Sequence, residues 1–133
     1  MATIKSYTDL EQSKKLAEIL SLESADYCWG IDDETLRYNS SPYPCAWKDY
    51  TCKEYYIPCW SLAALVNVLP SRLFDSTPKR KELYLLLDLD KSYCFYRQFA
   101  VKTKGKIYLL TEGECLVDAC YEMILKLHEL KML

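Results

Sequence analysis

Three cysteines recur at every seventh position in the stretch PYPCAWKDYTCKEYYIPCW, namely Cys45, Cys52 and Cys59. Thiolates and imidazoles bind zinc, and a tetrahedral site would be completed here by Cys28 or His128. Structural zinc sites usually contain pairs of ligands about two to four residues apart. The gaps here contain six residues and the chain has no CxxC motif. We therefore favour cysteines that pack as small apolar side chains, and we predict no bound metal.

Disulfides and thiol catalysis are disfavoured by the same sequence. The chain has 7 cysteines, an odd number that excludes a fully paired intramolecular framework. The N-terminus has no secretory signal, so we expect a cytoplasmic protein whose thiols stay reduced. A cysteine nucleophile needs a nearby base, yet the only histidine, His128, lies two helical turns beyond Cys120. We predict no catalytic residues and no cofactor, and the balance favours a protein that is not an enzyme.

Two clusters of carboxylates are the other candidates for chemistry. Asp88 and Asp90 lie on one face of a predicted strand near its end, and Asp32, Asp33 and Glu34 are consecutive. Such groups can act as acids and bases or bind hard cations. Both clusters fall at predicted turns, where aspartate often accepts hydrogen bonds from nearby backbone N–H groups. We therefore interpret them as turn residues.

The charge of the chain limits its partners. The formal net charge is −2 at pH 7, from 17 basic and 19 acidic side chains, which gives no overall field for nucleic acid or an anionic membrane. The middle of the chain is mildly basic through Lys79, Arg80, Lys81, Lys102, Lys104 and Lys106. Nucleic-acid-binding domains usually show a stronger basic signature, so nucleic acid is not the expected partner. No apolar run approaches the roughly 18 residues of a membrane helix, and no membrane contact is predicted.

Aromatic residues are the clearest excess, with 12 tyrosines, 3 tryptophans and 3 phenylalanines, concentrated in residues 27–60. Tyrosine and tryptophan are enriched at protein interfaces because they provide large and rigid contact areas. The predicted binding residues are Tyr43, Trp47, Tyr50, Tyr55 and Tyr56. We predict that they contact a protein partner or a second copy of the chain. Two alternatives stay open: a nucleic-acid-associated accessory protein that uses the basic middle part, and a small thiol or metal protein.

The elements that position these residues follow from the hydrophobic period. Thr8 and Glu11 form a capping box for a helix over residues 9–20. Alternation predicts a strand over residues 27–31. Pro58 suits the first position of a second helix, which is apolar on all sides and should therefore be buried.

The second half of the chain predicts a meander followed by the strongest helix. Alternating runs cover residues 83–89, 93–101 and 107–111, with a hairpin at Gly105 because glycine tolerates a positive φ. The last helix spans residues 115–131 by its apolar stripe. The order of elements predicts an α+β fold in a single domain, residues 1–133, whose antiparallel sheet has about four to five strands and is covered by two or three helices mainly on one face. The opposite face should be partly open and carry several tyrosines.

Three segments of the sequence resemble a known family. They are YTDLEQSKKLAEIL at residues 7–20, PCWSLAAL at 58–65 and VDACYEMILKLHEL at 117–130. Together they resemble short uncharacterised proteins from gut bacteria of the Bacteroidetes group, which often lie in prophage or mobile-element regions. The resemblance covers the two ends and the central helix, and it carries no known activity. It implies a cytoplasmic, phage-related accessory protein of bacteria and no particular mechanism.

Overall fold

The computed structural model describes residues 5–31, 37–38, 41–45, 56–74, 82–98 and 105–133. These residues form three α-helices and two antiparallel sheets, so the predicted α+β class is confirmed. The strands are divided between a three-stranded and a four-stranded sheet instead of forming one sheet. They belong to two compact units, one built on Lys5–Val68 and the other on Leu69–Leu133, and the single domain stays a prediction. None of the helices in the described ranges is long and apolar enough to cross a membrane.

The N-terminal unit contains the three-stranded sheet. Its elements are α1 (Leu10–Ala17), a 3-10 helix (Leu22–Ser24), β1 (Tyr27–Gly30), β2 (Tyr43–Pro44), β3 (Tyr56–Cys59) and α2 (Leu62–Val68). The strand order is β2-β1-β3, and both pairs are antiparallel. Pro44 and Pro58 therefore lie on the two outer strands, where proline is tolerated because its missing N–H is not needed by the central strand. The start of β1 agrees with the predicted strand, and Ile31 forms only an isolated bridge to Tyr38.

The residue that caps the N-terminus of α1 lies one position later than the sequence predicts. Asp9 is the N-cap: its Oδ1 accepts from the N–H of Gln12 at 2.8 Å, and the Gln12 side chain accepts from the N–H of Asp9 at 3.1 Å. The predicted capping box of Thr8 and Glu11 is therefore wrong. Thr8 is fully buried and its Oγ1 accepts instead from the backbone N–H of Trp60, at 3.1 Å.

The second helix also begins later than predicted. Pro58 lies in β3 opposite Cys28, so Cys59 ends a strand and does not belong to the helix. The cap is Ser61, whose Oγ accepts from the N–H of Ala64 at 3.2 Å. The predicted burial on all sides is wrong as well: within α2 the buried residues are Ala64 and Leu65, while Ala63 is exposed.

A buried polar cluster joins α1 to the sheet. The hydroxyls of Thr8 and Ser13, both fully buried, lie 2.8 Å apart, and Ser13 Oγ accepts from the indole N–H of Trp29 at 3.2 Å. Buried donors are expensive to leave without an acceptor. The cluster therefore fixes the side of α1 that contacts the sheet.

Replacing Ser13 with alanine should lower the free energy of unfolding by about 1–3 kcal/mol, because the Trp29 N–H is left buried without its acceptor. Ser21→Ala is the matched control: Ser21 is exposed and its side chain makes no capping bond, so we expect a change within about 0.5 kcal/mol. Urea unfolding followed by circular dichroism gives both values. Equal losses in the two variants would contradict the role assigned to Ser13.

The C-terminal unit contains the four-stranded sheet and the longest helix. Its elements are β4 (Arg72–Phe74), β5 (Glu82–Asp88), β6 (Tyr93–Gln98), β7 (Ile107–Glu112) and α3 (Leu116–Glu129), and the strand order is β4-β5-β6-β7. The three strands of the predicted meander are thus confirmed. The sequence prediction missed β4, which pairs with β5 through only three residues, too few to show a period.

The two connections of the meander have different physical causes. Between β5 and β6, Asp88 Oδ1 accepts from the backbone N–H groups of Asp90 at 3.0 Å and Lys91 at 3.2 Å, which confirms the turn interpretation of Asp88. The other acidic cluster, residues 32–34, lies outside the described residues. The predicted positive φ at Gly105 is wrong, since no described glycine has one. A side chain there would instead overlap the carbonyl oxygen of Gln98.

The helix α3 covers one face of the four-stranded sheet. Its buried residues are Leu116, Val117, Ala119, Cys120, Met123, Ile124 and Leu127. This stripe confirms the predicted apolar face, except that Leu130 is 50% exposed. The hydroxyl of Thr111 in β7 donates to the carbonyl of Ala119 at 2.7 Å, which fixes the helix to the sheet.

Candidate functional site: the open face of the four-stranded sheet

The side of the four-stranded sheet that points away from α3 is called the open face here. Cys94 and Tyr96 point towards the helix and are fully buried, so the alternate residues of β6 point the other way. The pairing register arranges the open face in successive rows across the strands. We name them the basic row (Arg72, Tyr84, Arg97), the apolar row (Leu86, Phe95, Leu110) and the acidic row (Asp88, Tyr93, Glu112).

The open face keeps a large apolar and aromatic surface in contact with solvent. Leu110 is 42% exposed, and Phe74, which is paired with Glu82 beyond the basic row, is 58% exposed. The rings of Tyr84, Tyr93 and Phe95 are half-buried, as expected for neighbours that lie side by side on one face. The prediction that a partly open face carries several tyrosines is confirmed by Tyr84 and Tyr93.

Arginines lie over the aromatic rings of the open face. The Arg72 guanidinium lies 5.6 Å from the ring centroid of Tyr84 and 3.2 Å from the Glu82 carboxylate. The Tyr84 hydroxyl donates to the same carboxylate at 2.9 Å, and this hydrogen bond raises the pKa of Tyr84. The Arg97 guanidinium lies 5.9 Å from the centroid of Phe95. Guanidinium groups thus lie against aromatic rings on this face.

The predicted binding residues in the aromatic-rich segment fall elsewhere. Tyr43 lies in β2 opposite Cys28, and Tyr56 lies in β3 opposite Gly30; both are half-buried. The structure thus places these two tyrosines on the two outer strands of the three-stranded sheet. Trp47, Tyr50 and Tyr55 lie outside the described residues, so their predicted role stays a prediction.

Two of the spaced cysteines lie near each other in the N-terminal unit. The thiol of Cys45 is hydrogen-bonded to the thiol of Cys28 and lies near Asp26 and Cys59. Burial, followed by the hydrogen bond to Cys28, raises the pKa of Cys45 to about 12. Cys59 donates to the carbonyl of Thr8 at 3.3 Å, and burial raises its pKa. Cys52 lies outside the described residues, and among those described no group of three ligands is placed to hold a metal ion.

A second thiol pair lies between β6 and α3. The side chains of Cys94 and Cys120 are fully buried and hydrogen-bonded to each other. This bond, together with burial, raises the pKa of Cys94. The lone histidine, His128, is exposed near the end of α3, in agreement with its interpretation as a surface residue. The Cys94–Cys120 hydrogen bond lowers the pKa of Cys120, so Cys120 ionises before Cys94 within this buried pair.

The basic middle part of the chain is described only in part. Lys106 is exposed and its ammonium lies 5.7 Å from the ring centroid of Tyr108. The other predicted basic residues in this part, at 79–81, 102 and 104, lie outside the described residues. The sequence pattern does not single out Arg72, whereas the alternation of Arg97 with Phe95 along β6 carries the signal for Arg97.

Comparisons with models of protein families, with curated proteins and with solved structures find no match for this chain. Its function is therefore argued from the geometry of its own residues.

Proposed function

We propose that this protein is a non-enzymatic interaction domain that binds a protein surface through the open face. The observation that carries the proposal is the asymmetry of the four-stranded sheet. One face is covered by α3, while the other presents aromatic rings and guanidinium groups to solvent. Aromatic residues and arginine are enriched in the energetically important parts of protein interfaces.

The charges of the open face favour a protein over nucleic acid as the partner. Arg72 and Arg97 are balanced by Glu82, Asp88 and Glu112 on the same face. Carboxylates repel a phosphate backbone, whose binding depends on several unopposed cations. A protein surface with mixed charges can match both signs, so it is the better fit.

Three of the described thiols support a role other than catalysis, while Cys120, whose pKa is lowered by its hydrogen bond to Cys94, is fully buried. A cysteine nucleophile acts as a thiolate and usually has a lowered pKa. Here the pKa of Cys45 is raised to about 12, and the pKa values of Cys59 and Cys94 are raised as well. These three thiols are protonated at neutral pH, which favours packing over reaction.

Three expectations from the sequence remain part of this proposal. The aromatic-rich segment, with Tyr43 and Tyr56 in its described part, is proposed as a second contact surface. A cytoplasmic location is proposed in line with the 7 cysteines, an odd number that excludes a fully paired intramolecular framework. The phage or mobile-element association rests on the family resemblance alone.

Phe95→Thr should abolish binding to the protein partner, because Phe95 lies in the middle of the apolar row. We expect proteins recovered with the tagged wild-type chain from nuclease-treated host extract to fall at least about tenfold with this variant. An untagged copy of the chain is counted among the proteins recovered. Quantitative mass spectrometry provides the measurement, and circular dichroism checks that the variant is folded.

Leu130→Thr is the matched control, since Leu130 is 50% exposed but lies at the end of α3, outside the open face. It should recover the same proteins as the wild-type chain. Recovery that is unaffected by Phe95→Thr, or that disappears on nuclease treatment of the wild-type sample, would refute the proposed function.

A further inference from the structure

We infer that the partner of the open face is a second copy of this chain, bound open face to open face about a two-fold axis. This inference rests on the proposed protein-binding role of that face. The choice of a second copy as the partner depends on how charge is distributed between the basic row and the acidic row.

The open face is self-complementary in charge. Its basic row contains the guanidinium groups of Arg97 and of Arg72, which is paired with Glu82. Its acidic row contains the carboxylates of Asp88 and Glu112, with the Lys91 ammonium 6.0 Å from the Tyr93 ring centroid. The apolar row lies between them, because the register passes from Arg97 to Phe95 to Tyr93 along β6. With Glu82 and Lys91 included, one end of the surface keeps a net positive charge and the other a net negative charge, with an apolar strip in the middle.

A two-fold axis along the apolar row brings unlike rows together. The rotation reverses the direction of the strands but keeps each strand above its own equivalent. The basic row of one copy then faces the acidic row of the other. In this arrangement Arg97 lies above Tyr93 of the second copy, between its Asp88 and Glu112. The symmetry repeats the contact, so each dimer contains it twice.

The apolar row meets itself in the same arrangement. Phe95 faces Phe95 of the second copy, and Leu86 and Leu110 extend the contact on either side. Water is excluded around the charged contacts at each end, which strengthens them. The aligned packing of two antiparallel sheets requires no change in either backbone.

The size of the open face predicts a weak dimer. Four strands about 4.8 Å apart give a width of roughly 19 Å, and the 7 residues of β5 give a length of about 24 Å. The face then buries roughly 450 Å² per copy, or about 900 Å² in total, which is below the roughly 1,200 Å² of stable complexes. We therefore expect weaker association than in complexes of standard interface size, within reach of sedimentation at high protein concentration.

Charge exchange between the two rows tests the arrangement. Sedimentation equilibrium from about 10 µM to 1 mM should show a monomer–dimer equilibrium for the wild-type chain. Arg97→Glu and Glu112→Lys should each weaken dimerisation at least about tenfold, because each places like charges opposite one another. An equal mixture of the two variants should restore it, because in the mixed dimer one contact pairs the new charges and the other pairs the native ones.

Controls separate this effect from misfolding and from net charge. Lys15→Glu and Glu122→Lys make the same charge changes at exposed positions of α1 and α3 and should leave dimerisation unchanged. Arg97→Gln, a milder change at the same position, should give an intermediate loss. Circular dichroism and thermal unfolding confirm the fold of each variant.

A wild-type chain that stays monomeric at 1 mM overturns the two-fold dimer. A dimer whose dissociation constant is unchanged by both charge reversals overturns it as well. In either case, recovery of other proteins that depends on Phe95 would leave the proposed function standing. Salt-dependent binding of a single-stranded oligonucleotide that is lost in Arg97→Glu would overturn both. Loss in each variant with rescue in the mixture supports the two-fold dimer.

Discussion

Trp60→Ala should lower the free energy of unfolding by about 3–5 kcal/mol. Trp60 is fully buried, and its indole N–H donates to Ser24 Oγ at 2.9 Å. Its backbone is tied to Thr8 by two hydrogen bonds, one to the Thr8 side chain and one from the Thr8 N–H, at 3.1 Å and 2.9 Å. Removal of the ring leaves a cavity between α1 and the following strands. A domain of this size is stable by only about 5–15 kcal/mol, so a large part of its stability is lost.

Urea unfolding followed by far-ultraviolet circular dichroism measures the effect without relying on tryptophan fluorescence. Trp60→Phe is the matched variant, because it keeps an aromatic ring in the buried site, removes the N–H donor and leaves a smaller cavity than alanine does. We expect it to lose about 1–2 kcal/mol. A loss below about 1 kcal/mol for Trp60→Ala would show that this residue is not in the core.

Alkylation of Cys45 by iodoacetamide at pH 8 should be about 100 to 1,000 times slower in the native protein than in urea. The reacting species is the thiolate, and burial together with Cys28 raises the pKa of Cys45 from 9.0 to about 12. Peptide mass spectrometry after timed quenching gives the rate at this site. Cys28→Ala removes the thiol that hydrogen-bonds Cys45 and should accelerate the native reaction. Equal rates in native protein and in urea would contradict the raised pKa.

The raised pKa of Cys45 also makes the free energy of unfolding depend on pH. Below pH 9 the thiol of Cys45 is protonated in both states, so it contributes its full stabilising effect. Between pH 9 and 12 the unfolded chain ionises first, because only the folded state holds the pKa high. The free energy of unfolding should therefore fall as the pH rises through this range.

The helices and the meander follow the local pattern, and the exceptions have identifiable causes. The sequence of α3 has an apolar stripe over several turns, so its period predicts the helix almost to its ends. Thr8 and Asp9 are neighbours, and both are residue types that cap helices. Only the hydrogen bond between Thr8 and the distant Trp60 decides that Asp9 is the cap. Pro58 suits a helix start equally well, but pairing with distant Cys28 places it in a strand.

The open face was predictable in kind but not in detail. Alternation in β5 and β6 predicts that Tyr84 and Tyr93 lie opposite the covered face. The register between strands, which places Arg97 beside Tyr84 and Glu112 beside Tyr93, depends on long-range pairing. No local pattern contains that information. The separation of charge into rows is therefore visible only in the folded protein.

The prolines of the three-stranded sheet have a bearing on how the protein behaves at high concentration. Each outer strand of that sheet contains one, Pro44 in β2 and Pro58 in β3. An incoming strand needs a continuous series of N–H donors to extend a sheet, and proline interrupts the series. Neither outer strand can therefore readily pair with a strand of another copy, which is the step that extends a sheet into a fibril. Copies of the N-terminal unit are thereby protected against the open-ended stacking by which exposed strands aggregate.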